Sequence, residues 1–193
     1  MNADWEEKHL SAGKVQECKS ESVGNAFKKA LEEAKASNHE SDAWRVDTES
    51  HAGKDYVGSK VYVSEGGSTF AVMKDGDIIS VCKKDGDRPG RELLKKAVEA
   101  GGKKLDSFDG NFAFYLKTGF EPVSWTAFDE NYAPKGWVKG RDKPEPVVFF
   151  KYTGKKYGEQ SKDFWEIKKA QFYKKVKMSK DYDTAMSIRD KEV

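Results

Sequence analysis

The feature that most constrains the fold of this chain is a change in the spacing of its apolar residues near Tyr56. Before that point, apolar side chains from Val23 to Ala34 recur three and four residues apart, which predicts an amphipathic helix over residues 22–36, capped by Ser22. From Tyr56 onward, short runs of β-branched and aromatic residues bounded by glycine turns predict strands. The chain therefore has to combine helices with a sheet.

The order of the predicted elements defines the fold class. Between residues 60 and 152 the order is β-β-β-α-β-α-β-β, which indicates an α+β fold with a mixed, mostly antiparallel sheet and one right-handed βαβ crossover. Strands are predicted at 60–64, 69–73, 78–82, 104–108, 120–125 and 146–152, and helices at 91–100 and 112–117. Outside this core we predict a short strand at 44–46, a helix at 161–178 and a shorter helix at 181–188. The apolar face of the 161–178 helix would consist of Phe164, Ile167, Phe172 and Val176.

These elements suggest three segments. Residues 1–50 form an N-terminal helical extension that packs on the core, residues 51–153 form the core, and residues 154–193 form a basic helical C-terminal extension. The first extension holds 7 Lys and Arg against 11 Asp and Glu, a net charge of −4, and the last holds 11 against 7, a net charge of +4. Solvated helix faces account for most charge of this kind.

Several classes of protein are disfavoured by the composition. No run of 18 apolar residues is present, so no membrane-spanning segment is predicted, and the polar N-terminus lacks the apolar region of a secretory signal. Cys18 and Cys82 lie far apart in unlike surroundings, which argues against a structural disulfide. We therefore expect a cytoplasmic protein.

Two pieces of sequence carry a family resemblance. The first is the segment from Arg91 to Gly102, which holds the predicted helix with its leucine pair and the two glycines that end it. The second reads Phe-Tyr-Leu-Lys-Thr-Gly-Phe from Phe114 to Phe120. With the strand between them, they resemble the acetyl-CoA-binding core of the GNAT superfamily of N-acetyltransferases. The likeness covers roughly half of the chain. The same stretch also resembles uncharacterised acetyltransferase-like proteins of bacteriophages and prophages.

The resemblance implies an acetyl-CoA-dependent transfer of an acetyl group to the amine of a small molecule or a protein, by direct attack. A pyrophosphate would lie at a helix N-terminus, where free amides and the helix dipole favour an anion. Tyr115 would be the catalytic general acid that protonates the leaving thiolate; its alternative role is that of a buried core tyrosine beside Phe112 and Phe114. The residues implied in acetyl-CoA binding are Val81, Cys82 and Lys83 for the pantetheine, and Arg88, Gly90 and Arg91 for the pyrophosphate.

The cofactor loop departs from the family pattern. Only Gly90 matches the expected glycines, Arg88 stands where the first glycine is usual, and Asp85 stands where a basic or amide residue is usual. Arg88 and Arg91 can compensate as phosphate partners. The alternative function is therefore a non-catalytic GNAT-like phage protein that binds a host or phage protein partner.

Other candidate residues carry no diagnostic motif. Asp106 and Glu121 are positioned to serve as a general base, and His9, His39 and His51 have no metal-ligand spacing. The long loop bearing Trp125, Tyr132 and Trp137 predicts either a substrate-cleft wall or a surface flap. The lysine-rich tail, with Lys168, Lys169, Lys174, Lys175 and Lys177, is better explained by a solvated helix than by nucleic-acid binding.

Overall fold

The computed structural model describes residues 10–193, so the polar segment before Leu10, including His9, lies outside the described residues. The helices are α1 (Glu21–Ser37), α2 (Glu40–Ala43), α3 (Gly90–Glu99), α4 (Phe112–Lys117), α5 (Lys162–Lys175) and α6 (Tyr182–Asp190). The strands are β1 (Gln16–Glu17), β2 (Lys60–Val63), β3 (Thr69–Val72), β4 (Ile78–Cys82), β5 (Lys104–Phe108), β6 (Phe120–Thr126) and β7 (Val147–Tyr152). The predicted α+β class and the predicted order from β2 to β7 are both confirmed.

The chain divides into two compact units. The first contains the residues up to Gly102 together with Pro134–Val138, and the second contains Lys103–Ala133 and Lys139–Val193. The strands form two antiparallel sheets, ordered β1-β2-β3-β4 in the first unit and β5-β7-β6 in the second. The prediction of one mixed sheet with a βαβ crossover is therefore wrong, because β4 and β5, which flank α3 in sequence, belong to different sheets.

Helix α1 covers the sheet of the first unit. Its N-cap is Ser20, whose Oγ accepts a hydrogen bond of 3.2 Å from the Val23 amide, so the predicted cap at Ser22 is wrong by half a turn. The predicted apolar stripe is confirmed, because all six of its side chains are buried: Val23, Ala26, Phe27, Ala30, Leu31 and Ala34. Gly24 packs so closely on the 52–56 segment that a Cβ at Gly24 would lie 1.9 Å from the Gly53 carbonyl oxygen. The core beneath α1 contains Leu10, Cys18, Val23, Ala26, Phe27, Ala30, Tyr56, Val61, Val63 and Ala71.

The segment after α1 is helical rather than extended. His39 Nδ1 accepts a hydrogen bond of 3.2 Å from the Ser41 amide and so caps the one-turn helix α2. The amides of Arg45 and Val46 then donate to the carbonyls three residues back, which makes a turn where a strand was predicted. Trp44 is buried there, with 1% of its surface exposed. The segment Trp44-Arg45-Val46 is too short for the spacing of its apolar residues to distinguish these two conformations.

The hairpin between β3 and β4 follows the prediction. Gly76 has φ 89°, and its amide donates a hydrogen bond of 2.9 Å to the Met73 carbonyl. The Met73 amide donates to the Asp77 carbonyl at 2.8 Å and closes the turn. Glycine is required here because other residues rarely adopt a positive φ.

Helices α4, α5 and α6 belong to the second unit with the β5-β7-β6 sheet. Helix α5 contacts α4, and α6 contacts β6 and β7. The buried residues of α5 are Trp165 and Phe172, while Ile167 is 58% exposed, so the predicted α5 face is correct only in part. In α6, the guanidinium of Arg189 is fully buried, 5.4 Å from the Phe149 ring centroid, and pairs with Asp190 at 3.0 Å. None of the helices in residues 10–193 has the length and apolar character needed to cross a membrane.

Candidate functional site

Strand β4 carries a bulge immediately before the predicted cofactor loop. Ala71 pairs with Ile79 but Thr69 pairs with Cys82, so β4 holds one extra residue at Ser80–Val81. Ser80 has φ 56° and is the only non-glycine residue with a positive φ in residues 10–193. A left-handed serine costs on the order of 1–3 kcal/mol, and such residues are concentrated at functional sites. Bulges likewise occur often beside active sites, where they redirect a strand.

Hydrogen bonds hold the bulge in place. The Tyr56 hydroxyl and Ser80 Oγ lie 2.7 Å apart, and Thr69 Oγ1 donates to the Ser80 carbonyl at 2.9 Å. Burial raises the pKa of Tyr56, so this phenol stays protonated at neutral pH. Because β4 is the edge strand of its sheet, its outer edge has no strand partner within that sheet.

The loop that follows is tied to its own unit at three points. Asn38 Nδ2 donates to the Lys83 carbonyl at 2.8 Å, and the Asp85 amide donates to Ser37 Oγ at 3.0 Å. The Lys84 amide donates to Ser68 Oγ at 2.9 Å. The loop is thus held by the C-terminus of α1 and by the turn between β2 and β3.

Asp87 is the residue of this loop whose role the sequence did not reveal. Its carboxylate accepts hydrogen bonds from the hydroxyls of Ser64, at 2.6 Å, and Ser68. Burial alone would raise the pKa of Asp87, but these hydrogen bonds outweigh it and hold the pKa below its usual range. The negative charge of Asp87 is therefore directed at the β2–β3 turn.

The N-terminus of α3 is open. Among residues 10–193, the amides of Gly90 and Arg91 donate no hydrogen bond, and Pro89 at the N-cap position provides no side-chain cap. Arg88 and Arg91 are exposed, and a Cβ at Gly86 would meet nothing within 4 Å. The two arginines and the two free amides are neighbours in sequence at one helix end, which is the arrangement that suits an anion.

The three residues assigned to the pantetheine differ in exposure. Val81 is half-buried, Lys83 is exposed, and Cys82 is 3% exposed in a cluster with Leu31 and Ala34. Burial raises the pKa of the Cys82 thiol to about 11, and Lys35 and Asn38 oppose this only in part. The thiol is therefore protonated at neutral pH and is not an activated nucleophile.

Tyr115 lies in the second unit and is buried. Its ring centroid is 5.3 Å from that of Phe150 and 5.8 Å from that of Phe120. Burial, with a smaller effect of the Asp106 carboxylate, raises the pKa of Tyr115, and a hydrogen bond with Ser107 opposes the shift. The phenol therefore keeps its proton, which is compatible with both a core residue and an acid.

The candidate bases are also in the second unit. Asp106 accepts a hydrogen bond of 3.0 Å from the Tyr182 hydroxyl, and Glu121 is exposed on β6. Asp109, which the sequence analysis did not identify, accepts a hydrogen bond of 2.9 Å from the Tyr173 hydroxyl. The Lys169 Nζ atom lies 3.9 Å from the same carboxylate. Burial raises the pKa of Asp109 despite these partners. Its only sequence signal is its position directly after β5.

The long loop after β6 is divided between the units. Trp125 is in the second unit and donates from Nε1 to the Val176 carbonyl at 2.8 Å, while Tyr132 of that unit is 84% exposed. Residues 134–138, with Trp137, belong to the first unit, where Lys35 Nζ donates to the carbonyls of Val46 at 2.6 Å and Lys135 at 2.9 Å. The loop is therefore held at Lys135 by a hydrogen bond from Lys35, while Tyr132 is exposed to solvent.

The remaining candidates have structural surroundings. His39 caps α2, and the His51 ring centroid lies 5.8 Å from that of Tyr56. In the part of the chain that the structure describes, no three His, Cys, Asp or Glu side chains are grouped to hold a metal ion. Comparison with protein-family models, with curated proteins and with solved structures finds no match.

Proposed function

We propose that this chain is an acyl-CoA-dependent N-acetyltransferase of GNAT type. The observation that carries the proposal is the chain segment from Ser80 to Arg91. This segment begins at the bulged edge of β4 and ends at the open N-terminus of α3. A strained residue, an unpaired strand edge and two free helix amides occur within a dozen residues. The sequence resemblance assigns the same stretch to the cofactor.

The anion half of the cofactor would be bound at the start of α3. The amides of Gly90 and Arg91 are free to donate to a pyrophosphate, and the helix dipole adds to this attraction. The exposed side chains of Arg88 and Arg91 supply charge-assisted hydrogen bonds. The Asp87 carboxylate accepts hydrogen bonds from Ser64 and Ser68 in the β2–β3 turn, and these bonds would reduce its repulsion of a bound pyrophosphate.

The amide-bearing arm of the cofactor would pair with β4. An edge strand offers unpaired N–H and C=O groups, and an extended ligand can add to it as a further strand would. The bulge at Ser80–Val81 interrupts the regular pairing next to Val81, Cys82 and Lys83, the residues assigned to this role.

Chemistry would proceed by attack of an amine nitrogen on the thioester carbonyl, after which the C–S bond breaks and the thiolate leaves. The attacking nitrogen would give up one proton to solvent or to a general base, and in the role that the resemblance implies Tyr115 would supply the proton that the thiolate takes up. Burial raises the pKa of Tyr115, so the phenol is protonated at neutral pH. This role stays a prediction.

Titration calorimetry of the full chain with acetyl-CoA and with CoA tests the proposal. We expect binding that is weakened about tenfold or more in Arg88→Ala/Arg91→Ala, because charge-assisted hydrogen bonds to phosphate are lost. Lys95→Ala is the matched control, since Lys95 is an exposed cation on the same helix beyond its first turn. No heat at millimolar ligand, or equal affinity in both variants, would contradict the proposal.

One observation favours the alternative of a non-catalytic module that binds a protein partner. The backbone amides of Lys84 and Asp85 already donate to serine hydroxyls, so neither is free to donate to a phosphate. Asp85 also exposes a carboxylate there. Absence of acetyl-CoA binding by a folded chain is the result that this alternative predicts.

A further inference from the structure

A separate cleft lies entirely within the second unit. It has a volume of about 320 Å³, at the lower end of the range of small-molecule sites. Its lining comes from α4, β6, α5 and the segment after β7. Its most buried lining side chains, which we call the floor, are Phe112, Leu116, Phe120 and Phe172, all less than 9% exposed.

The rim of this cleft is cationic. Lys155, Lys168 and Lys175 line it, and among residues 10–193 none of the three forms an ion pair. Two neighbouring lysines outside the cleft are paired: Lys117 with Glu159 at 3.3 Å, and Lys169 with Asp109 at 3.9 Å. The three lysines that line the cleft therefore keep their charges available to an anionic ligand.

Two of these lysines contact an aromatic ring that also lines the cleft. The ammonium nitrogens of Lys155 and Lys168 each lie 5.2 Å from the centroid of the Tyr157 ring, which also lines the cleft. Cation–π contacts at an exposed rim are weak and can be exchanged for a stronger anionic partner.

The net charge of the lining residues favours a dianionic ligand over a singly charged one. Three lysines and Glu121 leave a net charge of +2 around the cleft. A phosphomonoester carries about −1.5 to −2 at pH 7 and three strong acceptor oxygens, whereas a simple carboxylate carries only one charge. The aromatic floor in turn suits a flat ring.

We propose that this cleft binds a small phosphomonoester with an aromatic body, its phosphate among Lys155, Lys168 and Lys175 and its ring on the aromatic floor. The site is distinct from the proposed acetyl-CoA site, because all of its lining residues lie in the second unit and none is assigned to acetyl-CoA. Among them only Glu121 is a candidate for catalysis, as a general base, and its carboxylate would not donate a hydrogen bond to the phosphate.

The test is a set of calorimetric titrations of the full chain with phenyl phosphate, with inorganic phosphate and with phenol. Phenyl phosphate should bind at least about tenfold more tightly than either fragment, because only it uses both the rim and the floor. Lys155→Ala/Lys168→Ala should weaken phenyl phosphate by about tenfold or more. Lys174→Ala is the matched control, being an exposed cation on the same helix outside the cleft.

Several results would overturn the proposal. Inorganic phosphate or phenol binding as tightly as phenyl phosphate would remove the need for one half of the site. Equal affinity in the double variant and in Lys174→Ala would place the ligand elsewhere. Binding of an acidic peptide or a single-stranded nucleic acid without binding of phenyl phosphate would assign the lysines to a macromolecule instead. Thermal unfolding of each variant shows that a lost affinity is not a lost fold.

Discussion

Asp87 and Ser80 show how single residues shape the candidate cofactor site. Asp87 is acidic in a loop that is proposed to meet a pyrophosphate, yet its carboxylate is bonded to Ser64 and Ser68. Ser80 has a strained backbone, and its hydroxyl forms a hydrogen bond with the Tyr56 hydroxyl. Each acts through a partner distant in sequence, which is why sequence spacing alone did not reveal either role.

Asp87 should make stability depend on pH in one direction. Its folded pKa lies below the ordinary value of 3.8, so it stabilises the fold above that value, and the contribution is lost as pH falls through the folded pKa. We expect Asp87→Asn to lower the melting temperature at neutral pH and to differ less from the wild type as pH falls below 3.8. Urea unfolding at several pH values measures this. A constant difference across the range would contradict it.

Tyr115→Phe tests the proposed acid. Once the acceptor amine is known, turnover should fall by roughly 10²-fold, the size of effect expected for loss of a general acid. CoA affinity should change little, since the hydroxyl alone is removed. An unchanged turnover together with a lower melting temperature would show that Tyr115 is a core residue.

At the scale of elements, local spacing predicted most of what the structure contains. Strand β5 and helix α4 have the predicted bounds, because strong turn signals flank both. Which strands share a sheet, and the bulge in β4, depend on long-range pairing that periodicity does not encode. The same holds for α5, where Trp165 rather than Ile167 is buried, because tertiary contacts decide between adjacent helix faces.

The two serines at the start of α1 provide a matched pair of substitutions. Ser20→Ala removes the hydroxyl that accepts from the Val23 amide and should reduce the free energy of unfolding by about 1 kcal/mol. Ser22→Ala, in the exposed first turn, should change it by only a few tenths. Equal effects in chemical denaturation would show that Ser20 does not cap the helix.

On the scale of the whole molecule, the chain is two compact units, each with its own sheet. Helix α1 is part of the first of these rather than an appendage, since Val23, Ala26, Phe27 and Ala30 share one core with Val61 and Ala71. The cofactor proposal depends on that unit, because Ser37 and Asn38 at the end of α1 hold the loop that leads to α3.

Removal of the residues before Trp44 should therefore abolish cooperative unfolding or cause aggregation. The deletion exposes the apolar face of the sheet that α1 covers, and exposed apolar patches of that kind promote association. Light scattering and calorimetric unfolding measure the result. A truncated chain that unfolds as cooperatively as the full one would show that α1 is dispensable.

The most direct test of the acyl-CoA claim is a ¹⁵N–¹H NMR titration of the full chain with CoA, because it reports where the ligand binds as well as whether it binds. We expect the largest shifts at the amides of Gly90 and Arg91, which donate no hydrogen bond within residues 10–193, and along Val81 to Lys83. Absence of shifts at these residues at millimolar CoA, or shifts confined to α5 around Lys168, would contradict it.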